Sequence, residues 1–273
     1  MKSLIAALLA VMAIFFSGCA KAPMTERSQF IILSPSEELR LGLQASKQVM
    51  EESKGKLNTD KELVARIREV GFNIAKEADF YVAQAGLPKF DWEFHLIDED
   101  IINAFCLPGG KVFVYSGLMK AAQNDAQLAT VIAHEIGHAI ARHGAERIST
   151  ATAIDLGGVI AIGVAGSKSD MSASTMAAIS IAYGIGSGLG KLKHSRIQES
   201  EADYLGLMMM AKAGYDPQEA LSFWENMKKL NEKSALEFLS THPLPDTRIK
   251  DIQNSMPEAM GYYEKSQKRQ AIN

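Results

Sequence analysis

An α+β fold, mainly helical with one small β-sheet, is what this sequence predicts, and three observations predict it. Two helix-opening signals stand near the N-terminus, "SPSE" at Ser34–Glu37 and "TDKE" at Thr59–Glu62. A period-two segment, "FDWEFHLI", is followed by a Pro-Gly-Gly turn and a β-branched, aromatic run. A helix pattern capped at Asn124 then follows, apolar at nearly every other position from Leu128 to Ala141. A sheet segregated from its helices in this way is an α+β arrangement rather than an alternating parallel one.

The 273 residues carry a formal net charge of -3 and 47% hydrophobic residues, enough for one large domain. Mild acidity gives no basis for nucleic-acid binding, so none is expected. Residues 1–18 read as a lipoprotein signal peptide: Lys2, an apolar run from Leu4 to Phe16, then small residues. "FSGC" at Phe16–Cys19 looks like a lipobox, with Phe16 where leucine is usual, and makes Cys19 the lipidated first mature residue. More than one acyl chain there gives stable anchoring where one does not. In a typical Gram-negative cell, Ala20 rather than aspartate after that cysteine points to the outer membrane, facing the periplasm. Lipidation of Cys19 leaves Cys106 alone, so no disulfide is expected in the mature chain, and Cys106 among apolar neighbours reads as a small buried hydrophobe.

Residues 19–33 are then an anchor and extended arm, 34–256 a single domain, and 257–273 a polar tail that frays. Within the domain, Ser34 caps a first helix with Pro35 at its opening and Glu37 completing a capping box, out to about Lys54. The second helix runs from Thr59–Glu62 to Gly86. Phe90–Ile97 alternates apolar and polar residues and reads as a half-buried strand; Pro108–Gly110 turns the chain into a second strand, Lys111–Tyr115. Asn124 caps the next helix, with Gln127 at its third position. Two Gly/Ala-rich apolar runs between 151 and 190 are each short for a bilayer span and suggest a buried or membrane-facing helical hairpin. "DPQE" at Asp216–Glu219 caps a further helix.

The chemistry is concentrated in "VIAHEIGHAIARHG", Val131–Gly144. On a helix His134 and His138 are about 400° apart in rotation and about 6 Å apart along the axis, so both imidazoles reach one point. Two such imidazoles suit a zinc ion, and Glu135, about 100° round from His134, is placed to touch a metal-bound water without ligating the metal. Five residues with three fixed can also arise by chance on an ordinary helix surface. Here, however, the helix is apolar almost everywhere else, and such a helix does not bury His, Glu and His unpartnered. His143 is half a helical turn from His134 and is set aside as a ligand; it ends the helix or donates to a ligand from behind. "SRIQESEADYLG" supplies the better third ligand, Glu199, with Asp203 one turn on to accept a ligand histidine's free N–H; Glu201 points elsewhere.

"HEIGHAIARH", "RIQESEAD" and "THPLPDTR" together resemble the HtpX-like and CAAX-prenyl-protease-like zinc metallopeptidases, the gluzincins, and "INAFCLPGGKVFVYSGLM" resembles that family's strand-turn-strand. The likeness covers roughly Glu37–Ile252 and fits best the soluble or lipid-anchored branch without spanning helices. It implies a mainly helical zincin-type metalloprotease domain with a small sheet. One Zn²⁺ is then held by His134, His138 and Glu199, with Glu135 as the base. It further implies that His242 of "STHPLPDTR" can fill the open zinc position and hold the enzyme latent, the alternatives being a donor to the developing oxyanion or a packing residue, and that Arg248 is the family's arginine of that segment. Substrates so implied are misfolded or envelope proteins, cut for quality control. Their backbone is expected to pair with a strand edge near Lys111–Tyr115, with Asn103 touching it. The competing reading is a chaperone or assembly factor that holds envelope proteins and cuts little.

Overall fold

The structure, a computed structural model, describes residues 19–154, 183, 195–230, 238–243 and 246–271. The signal peptide and nearly all of the two apolar runs lie outside the described residues. Among those described, no helix is long and apolar enough to cross a membrane.

The chain opens with a small antiparallel hairpin, β1 (Cys19–Lys21) against β2 (Ser28–Phe30). The arm expected to be merely extended is therefore paired. Helix α1 (Pro35–Glu52) starts at the capping box read from sequence: Ser34 Oγ accepts from Glu37 N, and the Glu37 carboxylate accepts from Ser34 N. Helix α2 (Lys61–Gln84) is capped by Asp60, whose Oδ1 accepts from Glu62 N and Leu63 N. Both helices end about two residues short of the sequence expectation.

Strands β3 (Glu93–Ile97), β4 (Ala104–Leu107) and β5 (Lys111–Tyr115) form one sheet in the order β3-β5-β4. β5 runs parallel to β3 and antiparallel to β4. The β4–β5 turn uses Gly109 and Gly110 at φ +89° and +83°, a region open to glycine at little cost. Two expectations are corrected here. The sheet is covered on both faces, not half-buried. Phe94, Leu96, Val112 and Val114 join the larger core with α2, while Ile97, Phe105, Phe113 and Tyr115 join a second core with Leu41, Ala45 and Val49 of α1. His95 escapes simple polarity counting by stacking on Phe113, ring centroids 5.0 Å apart. And β5 is the central strand, hydrogen-bonded on both sides, so Lys111–Tyr115 offers a substrate no free edge.

After a 3₁₀ turn (Ser116–Lys120), α3 (Asp125–Ile140) runs almost entirely buried between the sheet and α5 (Arg196–Lys212). α4 (His143–Ile154) follows α3 after a sharp turn in which Arg142 takes φ +56°. α6 (Glu219–Lys229) begins after Gln218; Asp216 Oδ1 accepts from Gln218 N rather than capping the helix from the N-cap position. α7 (Asp246–Gln270) corrects the frayed tail: residues after Met256 stay helical across Pro257. Its docking explains this, since Ala259 and Ser266 are buried, Glu258 accepts from Tyr204 Oη at 3.0 Å, and Lys212 Nζ sits 4.4 Å from the Tyr262 ring centroid.

Candidate metal centre

Two helices bring the chemistry together. α3 begins where Asn124 Oδ1 accepts from Gln127 N, as read from sequence, and presents His134, Glu135 and His138. α5 begins at a capping box of Ser195 and Gln198 and presents Glu199 and Asp203 from one face. The crossing is close because both helices are notched. A Cβ on Gly137 would stand 3.0 Å from Ala202 O, and one on Gly206 would stand 2.9 Å from His134 N. Sequence reasoning missed the role of Gly206, although a glycine inside an α5 otherwise rich in Leu and Met was a usable signal.

At the crossing, His134, His138, Glu199 and His242 each offer one ligand atom, all within 4.8 Å of one another. His134 Nε2 is 3.0 Å from His138 Nε2 and 3.3 Å from His242 Nδ1. Glu199 Oε1 is 3.3 Å from His138 Nε2 and 3.2 Å from His242 Nδ1. On the far side of its ring His242 Nε2 stands 3.4 Å from Glu135 Oε1, and Phe238 stacks on the imidazole with centroids 4.8 Å apart. All five side chains are buried, Glu199 completely. Asp203 Oδ1 faces His134 Nδ1 at 2.9 Å. Arg248, fully buried, holds both oxygens of Asp203 at 2.7 Å and Glu199 Oε2 at 2.6 Å; it also donates to the Pro243 carbonyl at 3.0 Å.

A divalent cation fits this donor set. With His134 Nδ1 turned to Asp203, its Nε2 points a lone pair at the same space as His138 Nε2, Glu199 Oε1 and His242 Nδ1. Converging acceptors in a dry interior repel unless something positive lies between them. Burial opposes charge on His134, but hydrogen bonds and charge from Asp203 and Glu199 prevail and push its pKa up to about 9. His138 is held well below its usual range by burial and by the charge on His134. Burial also works against ionised Glu199, yet His242 and Arg248 hold its carboxyl well below the usual range.

Other sequence-selected residues fall elsewhere. Asn103 is buried; its Oδ1 accepts from Ala104 N, and its Nδ2 has no hydrogen-bond partner. Cys106 is buried and burial pushes its thiol well up, which suits the inert reading. Cys19 opens β1. His143 does not fit the straight-helix extrapolation, because the turn at Ala141–Arg142 folds α4 back and sets His143 Nδ1 2.7 Å from His138 Nδ1. Glu201 does point away from the ligand cluster, but it meets His143 Nε2 at 3.2 Å and Arg27 Nε at 2.6 Å. A place for His143 behind a ligand histidine was one of the two roles read from sequence; its contact with Glu201 and that of Glu201 with Arg27 were not legible from spacing.

An HExxH helix crossed by a helix bearing Glu199, with a carboxylate beside the shared centre, is the arrangement of a metallopeptidase. Residues 68–256 match peptidase family M48, and the chain belongs to that family. It is similar to the mitochondrial metalloendopeptidase OMA1 of Saccharomyces cerevisiae, 35% identical over 93% of this chain and 76% of the relative. The Schizosaccharomyces pombe protein of that name is 32% identical over 90% of this chain and 68% of the relative. The beta-barrel assembly-enhancing protease of Escherichia coli is 30% identical over 93% of this chain, which spans about half of that relative's length. The chain is thus a zinc metalloendopeptidase, acting on protein or peptide substrates.

Proposed function

We propose that this endopeptidase works in the cell envelope, tethered by lipid on Cys19 at the periplasmic face of the outer membrane, and cleaves misfolded or envelope proteins. His134, His138 and Glu199 would hold the zinc, with Glu135 as general base and His242 as a latch. The observation that carries the site assignment is the convergence of those four ligand atoms within 4.8 Å beside Glu135. When bound, zinc supplies Lewis acidity, polarising the scissile carbonyl and acidifying water.

The chain's own residues do the rest. Glu135 takes a proton from the attacking water and returns it to the leaving amine. Asp203 fixes the His134 ring by facing its Nδ1, and Arg248 fixes Asp203 and one oxygen of Glu199, leaving Oε1 toward the centre. Asn103 Nδ2, a buried donor without a hydrogen-bond partner, would donate to a substrate carbonyl oxygen. His242 occupies the space between Glu135 and the ligands, where a substrate carbonyl has to enter. On this reading His242 keeps the site closed until substrate or a partner lifts the Thr241–Pro243 segment.

The test is Glu135→Gln. Glutamine keeps shape and hydrogen bonding but takes no proton at neutral pH. Casein cleavage should fall by about 10²–10⁴-fold while bound zinc stays stoichiometric. Near-full cleavage by the variant overturns the assignment of the base.

A further inference from the structure

His134 and His138 both present Nε2 to the common centre, and each needs its outer nitrogen governed by something. For His134 that partner is Asp203. For His138 it is another imidazole. His143 Nδ1 lies 2.7 Å from His138 Nδ1, and neither ring can satisfy the other unless one nitrogen carries the proton and the other a lone pair. The far side of His143 decides which. Its Nε2 is 3.2 Å from Glu201 Oε2, a pure acceptor, so Nε2 carries the His143 proton and Nδ1 is the acceptor. The shared proton then belongs to His138 Nδ1, which leaves His138 Nε2 free to ligate. Glu201 is itself held from the N-terminal hairpin: Arg27 Nε donates to Oε2 at 2.6 Å and Thr25 Oγ1 donates to Oε1. The Arg27 guanidinium is fixed in turn by two bonds to Glu146 on α4, at 2.7 and 2.8 Å. Gln29 on β2 fastens the same hairpin to Ala141 O at 2.7 Å, in the turn that folds His143 back.

We infer that His143, Glu201 and Arg27 form a positioning relay that fixes the tautomer and ring direction of His138, and so couples zinc affinity to the docking of the N-terminal hairpin. The inference rests on His138 being a zinc ligand. His143 and Glu201 touch neither metal nor substrate; they act through His138. The chemistry demanded at 143 is an acceptor toward His138 and a donor toward Glu201. An asparagine amide provides both in a side chain whose Oδ1 stands near the place of Nδ1; leucine provides neither.

The test is zinc binding by the metal-free full chain, read by competition with a chromophoric chelator, together with the visible spectrum of the Co²⁺-loaded protein. Partners that orient a ligand histidine typically change metal affinity by about 10–100-fold. His143→Leu should weaken zinc binding by that much and alter the Co²⁺ bands, while His143→Asn should recover most of both. Arg27→Ala, a change on the partly exposed hairpin, should weaken zinc binding in the natural background and have no further effect beside His143→Leu. Thermal unfolding of the metal-free variants separates misfolding from lost affinity. If wild type fails to bind zinc, the ligand assignment itself is wrong. If wild type binds and His143→Leu binds equally well, the relay is wrong. Asparagine no better than leucine, or additive losses from Arg27→Ala and His143→Leu, overturns it too. Should His143→Leu not fold, Arg27→Ala and His143→Asn still decide: unchanged affinity in Arg27→Ala excludes the coupling.

Discussion

Replacing Gly206 by alanine tests whether the helix crossing sets the geometry of the metal centre. The added methyl would stand 2.9 Å from His134 N, 3.0 Å from Ala133 C and 3.1 Å from His134 Cα. All three are backbone atoms of the ligand-bearing helix, so no rotamer change relieves the contact. Restoring ordinary separations near 3.5 Å requires α3 and α5 to part by about 0.5 Å. Metal–ligand distances tolerate about ±0.2 Å, so that displacement moves His134 and Glu199 outside a common coordination radius. Two opposing terms act on stability. Overpacking of this kind costs about 1–3 kcal/mol, while Gly→Ala inside a helix returns about 1 kcal/mol.

Gly261→Ala is the matched control: Gly261 lies within α7 and a Cβ there meets nothing within 4 Å. It keeps the helical gain without the clash. Thermal unfolding should therefore rise by about 2–4 °C for Gly261→Ala and stay level or fall for Gly206→Ala. Zinc affinity, by chelator competition, should drop at least about tenfold for Gly206→Ala alone. A Gly206→Ala protein stabilised like the control and binding zinc like wild type would refute the argument that this contact positions the ligands.

His242→Ala should raise casein cleavage at equal zinc content if His242 is the latch. If it instead donates to the developing oxyanion, the rate should fall by about 10²–10³-fold, which ends the latch reading. Cys19→Ala should move the protein from the membrane to the soluble fraction; retention after a salt wash would shift the anchor to residues 151–190.

Much of this site was legible because its parts lie on single helices. Spacing alone puts His134 and His138 on one face, and Glu199 and Asp203 on another. Capping chemistry located the starts of α1 and α3, since Ser34–Glu37 and Asn124–Gln127 are local contacts. What the sequence hid is what depends on neighbours. Alternation in Phe90–Ile97 implied a wet face, but α1 covers that face with Leu41, Ala45 and Val49, and His95 is accommodated by stacking. The polar residues after Met256 looked unable to pack, yet a helix needs only a narrow stripe, and Ala259 and Ser266 provide part of it against the body of the domain. Sequence reasoning set His143 aside as a ligand and kept it behind one, but it could not give the route there, because the straight-helix rotation ran through Arg142, whose left-handed φ of +56° breaks it.

That break also explains how so many ionisable groups stay together in one dry volume. Had α3 continued straight, His143 would have left the centre and Glu201 would have faced Arg27 alone, with His138 Nδ1 buried and unsatisfied. Folding back at Arg142 gives His138 its acceptor. Arg142 secures the turn from outside, donating to Glu38 Oε2 and to the Leu33 carbonyl, both at 2.7 Å. On the opposite flank Arg248 ties Glu199 and Asp203 to the Pro243 carbonyl, next to His242. Each ligand helix is thus braced by an arginine reaching a different chain segment. The brace at Arg142 holds the N-terminal arm against the ligand turn. The brace at Arg248 holds Pro243, next to His242, against Glu199 and Asp203, so under the latch proposed for His242 the site would open from that side while the His138 side stays fixed.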